Sequence, residues 1–246
     1  MANYPIPIGH QRTREVVERS LVNLSHAYLF SGIEGIGKKL FAIWIAKYLL
    51  CEKGSPLFTE CSCSACVQAD NNLHPDIHIL SGNRDDKTVE SKKKGNIKGD
   101  YVVDNVRTLT EIVDSTPYSG KWKVIILDGA HQLSFGGQSA SANAILKTLE
   151  EPGANSVFFL ITHRTDLILP TILSRCQTVY FNPLSIDELE KICRLNAIAY
   201  TQDSLAAAGG SLSNLKFLAK FNIKGFFKLV ENRENEALAE IIFSFA

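Results

Sequence analysis

The chain has 246 residues, enough for one large domain or two modest ones with a substantial core. Its 26 Lys plus Arg balance 26 Asp plus Glu, which argues against a protein whose task is to coat nucleic acid. There is no apolar run of the length a membrane helix needs, and the opening MANYPIPIGHQRTREVVERS lacks an apolar signal core, so a cytoplasmic location with no membrane partner is expected.

Apolar strands alternate with helical stretches over the first three quarters of the chain. Ala27–Ser31 reads as a short strand, followed by a glycine loop and a helical Leu40–Leu50. Asp76–Leu80 is a second strand candidate, Gly82–Asp100 a charged exposed loop, and Val103–Val113 a helix. Lys123–Asp128 (KVIILD) and Val157–Ile161 (VFFLI) are continuous apolar runs, as strands buried on both faces require. Between them Ser141–Glu151 is helical, with Ala142, Ile145, Leu146 and Leu149 on one face. A short helical run, Pro170–Leu173, precedes a last strand, Gln177–Phe181. This alternation predicts a parallel α/β sheet. Beyond Asn182 and Pro183 only helical signals follow: Ser185–Asn196, opened by a Ser185/Glu188 capping box, then Gln202–Ala208, Ser211–Lys220 and a stretch from Ile223 onward. The expected division is an α/β domain over residues 1–183 and a small all-helical domain over 184–246.

SGIEGIGKK, Ser31 to Lys39, follows a strand and opens a helix, the context of a phosphate-binding loop. Gly32, Gly35, Gly37 and Lys38 fit G-x-x-x-x-G-K, but the next position, normally Ser or Thr, is Lys39. The usual hydroxyl there coordinates the magnesium ion between the outer phosphates, and an ammonium cannot. Asp128, ending a buried strand, is the acidic half such a pocket needs, although a turn-forming carboxylate would account for it equally well. Nucleotide binding is therefore expected to be weak or absent, and hydrolysis absent. Four thiols, Cys51, Cys61, Cys63 and Cys66, lie in a short span that includes a C-x-x-C pair; in a reducing compartment they favour a structural zinc site over disulfides. The module they define covers about residues 51–76. Cys176 and Cys193 read as core residues, and His26 and His74 as structural. Ser174-Arg175-Cys176 is either a surface arginine in passing or an arginine poised to reach a neighbouring subunit's nucleotide.

Taken in order, HAYLFSG, the cysteine cluster followed by His74-Pro75-Asp76, SANAILKTLEEP, FFLIT and LPTILSRCQ resemble the small clamp-loader subunits of bacterial DNA polymerase III, within the AAA+ superfamily. The resemblance spans about residues 5 to 220. It implies an AAA+ P-loop-type parallel sheet with an inserted zinc module and a helical lid. It also implies zinc ligands at Cys51, Cys61, Cys63 and Cys66, a sensor at Thr162, and a finger at Arg175 acting in trans. Motor members of this family keep Ser or Thr after the lysine and a D-E-x-H strand end. Here Lys39 and Gly129 stand instead, so the chain looks like the delta-prime type, a non-hydrolysing stator. The implied partners are motor subunits (gamma or tau), the delta subunit and, through the complex, the sliding clamp and primed DNA. The alternative is an active motor subunit that tolerates Lys39. Three departures stand out. Cys61 and Cys63 are one residue apart where the family usually has two, Asn214 takes the place of a lid arginine, and Phe221–Ala246 leaves little room for the family's third, collar domain, whether reduced or truncated.

Overall fold

The computed structural model describes residues 4–81, 111–119, 121–134 and 139–220. Its contacts divide the chain into two compact units, Met1–Asn182 and Pro183–Ala246. The expected loop Gly82–Asp100, most of the expected helix Val103–Val113 and the stretch after Ile223 fall outside the described residues. No helix among those described is long and apolar enough to cross a membrane.

The first unit is built on five parallel strands: β1 (Ala27–Ser31), β2 (Ile77–Ser81), β3 (Lys123–Asp128), β4 (Ser156–Thr162) and β5 (Gln177–Tyr180), in the order β2-β3-β4-β1-β5. Every residue of β1 and β4 is buried, as are the first five of β3, which explains their unbroken apolar runs. β5 lies at the edge of this sheet and is more open, with Val179 buried and Gln177 and Tyr180 exposed. Each of these five strands matches its sequence expectation to within about two residues, the usual uncertainty of element ends.

Helix α1 (Gln11–Ser20) packs near β5, where the Thr13 hydroxyl donates to the Tyr180 carbonyl at 3.0 Å. Helix α2 (Lys38–Leu50) is apolar nearly all round because it is covered on more than one side: it lies on β3 and β4 and also meets α3 (Ser64–Asp70). Its Trp44 indole N–H reaches the Pro5 carbonyl at 2.8 Å. Lys47, 4 % exposed, pairs with Asp70 of α3 at 2.7 Å and lies 3.9 Å from the Trp44 ring centroid. Helices α4 (Ser139–Glu150) and α5 (Pro170–Leu173) pack against the other core cluster, around Leu127, Leu133, Ile145, Phe158 and Leu160.

Lys123 shows how a strand that opens on a charge is buried. Only 2 % exposed, it donates to the carbonyls of Ile112 and Ser115 and, at 2.7 Å, to the Ser115 hydroxyl. Nearby, the Asp76 carboxylate takes the backbone N–H groups of Tyr118 and Ser119 at 2.6 and 2.8 Å.

In the second unit, α6 (Ile186–Leu195), α7 (Gln202–Ala207) and α8 (Leu212–Lys220) carry the helical signals. The Ser185/Glu188 capping box is present on α6, and Thr201 with Ser204 forms another on α7. Gly210 is required here: its φ is 79°, and a Cβ would lie 2.5 Å from Pro183 Cβ and 2.8 Å from the Leu184 nitrogen. Asn214 stays within this unit, donating from its side chain to Ala208 at 3.4 Å.

The Lys47–Asp70 pair yields a test of packing. Lys47→Met strands a buried carboxylate and is expected to cost about 3–5 kcal/mol in urea unfolding, whereas Lys47→Met with Asp70→Leu recovers most of that loss. Equal destabilisation by the single and double variants would refute this account.

Candidate functional site

The strand order places the candidate pocket. β1 runs out to β2 on one side, the chain returns through β3 and β4, and β5 then joins β1 on the opposite flank. At such a switch point, loops beyond the carboxyl ends of the strands diverge and leave a crevice. Register fixes which residues share it: Ser31 is level with Thr162, and Asp128 with Ile161.

The glycine loop leaves β1 and enters α2 through Gly37, at φ 95°, whose carbonyl accepts the first helical bond, from Phe41. Gly32 is needed for close approach, since a Cβ there would lie 2.6 Å from the Phe181 carbonyl oxygen. His10 supports the loop from the amino-terminal arm. Its Nε2 lies 2.7 Å from the Ile36 carbonyl oxygen, with its ring edge-on to Phe181 at 5.1 Å. The Lys38 ammonium, 6 % exposed, donates to the carbonyls of Gly32 and Ile33 at 2.7 and 2.6 Å. Burial pushes its pKa down to about 8 despite the opposing charges of Asp128 and Glu34.

Lys39 does more than fail as a magnesium ligand. Its Nζ lies 3.2 Å from Asp128 Oδ2, so an ammonium covers the carboxylate that a metal would use. Gly129 follows at φ 76°, a turn position without a side chain. Magnesium does not fit these residues, because its hydroxyl ligand is missing and its carboxylate is engaged by a cation.

Thr162 ends β4 and is 1 % exposed. Its hydroxyl accepts from the Arg164 N–H at 3.0 Å and lies 3.3 Å from His131 Nδ1. His131 in turn meets His163 edge-on at 4.4 Å. Burial holds the His131 pKa below its ordinary value, with His163 and Arg164 acting in the same direction and Glu34 and Asp128 opposing. Neither His10 nor His131 was singled out by the sequence pattern. The one available signal for His131 was its position three residues after Asp128, where the D-E-x-H pattern has its histidine.

The Arg175 guanidinium donates to the Thr171 carbonyl at 2.8 Å and pairs with Glu150 at 2.5 Å, so it is held against α4 and α5.

The four cysteines converge away from the strand ends. Cys51 caps α2, Cys63 precedes α3 and Cys66 lies within it. Their sulfurs, with that of Cys61, all fall within 4.8 Å of one another. Cys51 Sγ is 3.7 Å from Cys61 and 3.9 Å from Cys63. Sulfurs 2.3 Å from a common tetrahedral centre would be about 3.8 Å apart. The short Cys61–Cys63 spacing therefore does not keep Cys61 out, and the set could hold a metal ion. Burial pushes the Cys51 thiol up, but hydrogen bonds with Ser55, Lys53 and Cys61 outweigh it and bring its pKa down to about 6, whereas burial raises that of the neighbouring Cys66. Cys193 is fully buried, and burial raises the Cys176 thiol to about 12.

Comparison with known proteins gives the family. A family model described as DNA polymerase III, delta subunit, matches residues 10–185. The chain is 34% identical over 191 residues to DNA polymerase III subunit delta' of Pseudomonas aeruginosa, covering 76% of this chain and 53% of that protein. It is also 35% identical over 202 residues to subunit tau of Salmonella typhimurium, covering 78% of this chain and 28% of that one. It thus spans about half the length of the delta-prime relatives it matches. A gamma subunit-related protein of Thermotoga maritima superposes with a TM-score of 0.50 at 19% identity, over 89% of this chain and 61% of that one, which shows the fold alone. With most of its length matched by the family model, the chain belongs to the clamp-loader family of DNA polymerase III.

Proposed function

We propose that this chain is a delta-prime-type stator of the clamp loader: a subunit that hydrolyses no nucleotide itself and lends Arg175 to the ATP site of a neighbouring motor subunit. The observation that carries this is the Lys39–Asp128 ion pair, with Gly129 where a hydrolysing relative has its glutamate. Both catalytic supports, the metal and the carboxylate that orients water, lack their residues. The similarity to tau keeps a second reading in play, a motor subunit with a retuned pocket. On the stator reading the partners are gamma or tau motor subunits and delta, with the sliding clamp and primed DNA met through the complex in the cytoplasm.

Arg175 is suited to such a loan. In the isolated chain it is parked on Glu150, and a partly exposed pair of this kind is worth only about 0–1 kcal/mol. A neighbouring triphosphate, far more charged than one carboxylate, would outcompete it. Arg175→Ala should leave the fold intact and lower the DNA-stimulated ATPase of a reconstituted complex by about 10³-fold or more. An unchanged rate would sink this role. The isolated chain, with magnesium and ATP, should show no turnover above that of its Lys38→Ala variant; clear turnover would favour the motor reading.

We assign structural zinc to Cys51, Cys61, Cys63 and Cys66, since four thiols leave no open coordination position for water. Zinc held there would tie the end of α2 to α3. Protein purified without chelator should contain stoichiometric zinc, and stripping it should lower the melting temperature by at least about 5 °C. A metal-free chain of equal stability would end the assignment.

A further inference from the structure

The Lys39–Asp128 pair also specifies which form of nucleotide the loop can accept. In a phosphate loop of the usual kind, magnesium brings the positive charge that the outer phosphates and the strand-end aspartate share. Here the protein supplies that charge itself, with the Lys39 ammonium 3.2 Å from Asp128 Oδ2. A divalent ion seated on that carboxylate would face a cation of the same sign about one ion-pair length away.

The other parts of an anion cradle are retained. Gly37 opens α2 in a left-handed conformation, and Gly32 allows the loop to pass close under Phe181. Lys38 is buried at the start of the helix. An ammonium has three donors, and the carbonyls of Gly32 and Ile33 take two of them, which leaves one for a phosphate oxygen. Lys39 likewise has donors beyond the one aimed at Asp128, and 36 % of its side chain is exposed.

We propose that Lys39 is the resident cation of this pocket, standing in the magnesium position, and that the loop takes a nucleoside di- or triphosphate in its metal-free form. Magnesium then acts as a competitor, because it chelates free nucleotide and is itself repelled from the site. This rests on reading residues 32–38 as a phosphate loop and is independent of Arg175, whose role is measured in a neighbour's active site.

The test is calorimetric titration of the full chain with ADP and with ATP, once in EDTA and once in excess magnesium. Binding is expected to be about tenfold or more tighter in EDTA. Lys39→Thr, which restores the hydroxyl and frees Asp128, should reverse that order, and Lys38→Ala should weaken binding in both media. Wild-type binding that requires magnesium overturns the proposal, as does an absence of binding at millimolar nucleotide in EDTA. The wild-type comparison stands even if a variant fails to fold. Loss of this binding would leave the Arg175 ATPase result untouched, so the two ideas fail separately.

Discussion

The parallel register of β1 between β4 and β5 is the constraint on which everything else in the first unit depends. It sets Ser31 beside Thr162 and brings the glycine loop, the Asp128 turn and the end of β4 to one edge of the sheet. Burial on both faces holds it: a one-residue slip would turn apolar side chains such as Phe158 and Leu160 against surfaces shaped for their neighbours. The site is thus a by-product of core packing, and its side chains can change without moving the frame. That is how the pocket can carry Lys39 and Gly129 at these positions without disturbing the fold.

Much of this was legible in the sequence. KVIILD and AYLFS gave their strands with the correct ends because both lie between turn-forming residues and both are buried, apart from Asp128 at the end of β3. The capping box at Ser185 was visible because its bonds are local, three residues apart. What sequence could not supply was pairing across distance. Lys39 was readable as a missing hydroxyl but not as a partner for Asp128, since that contact exists only once β3 is placed near the loop. His10 gave no pattern at all, because its value lies in a left-handed backbone that turns its ring toward the Ile36 carbonyl. Cys61 looked out of step by spacing, and the path of the loop between α2 and α3 brings its sulfur to 3.7 Å from that of Cys51.

Several buried charges share one solution. Lys38, Lys47 and Lys123 are each 6 % exposed or less, and each ammonium finds acceptors: loop carbonyls, Asp70, or the carbonyls and hydroxyl near Ser115. A buried ammonium without partners would cost several kcal/mol, so these contacts are conditions for folding rather than additions to it. Lys39 differs. It is more than a third exposed, is not needed to satisfy a buried group, and is therefore open to a functional use.

Helix α2 joins the two sites. It begins at the glycine loop, ends at a thiol of the cysteine cluster, and buries nine of its thirteen residues. A helix that packs on one side can exchange residues on its wet face almost freely; this one answers to the sheet, to α3 and to the amino-terminal arm at once. Its sequence has little room to drift. A substitution at the partly exposed Lys39 disturbs the packing far less than one at Phe41 or Trp44, so the chemistry at the mouth of the helix can change while its skeleton stays as it is.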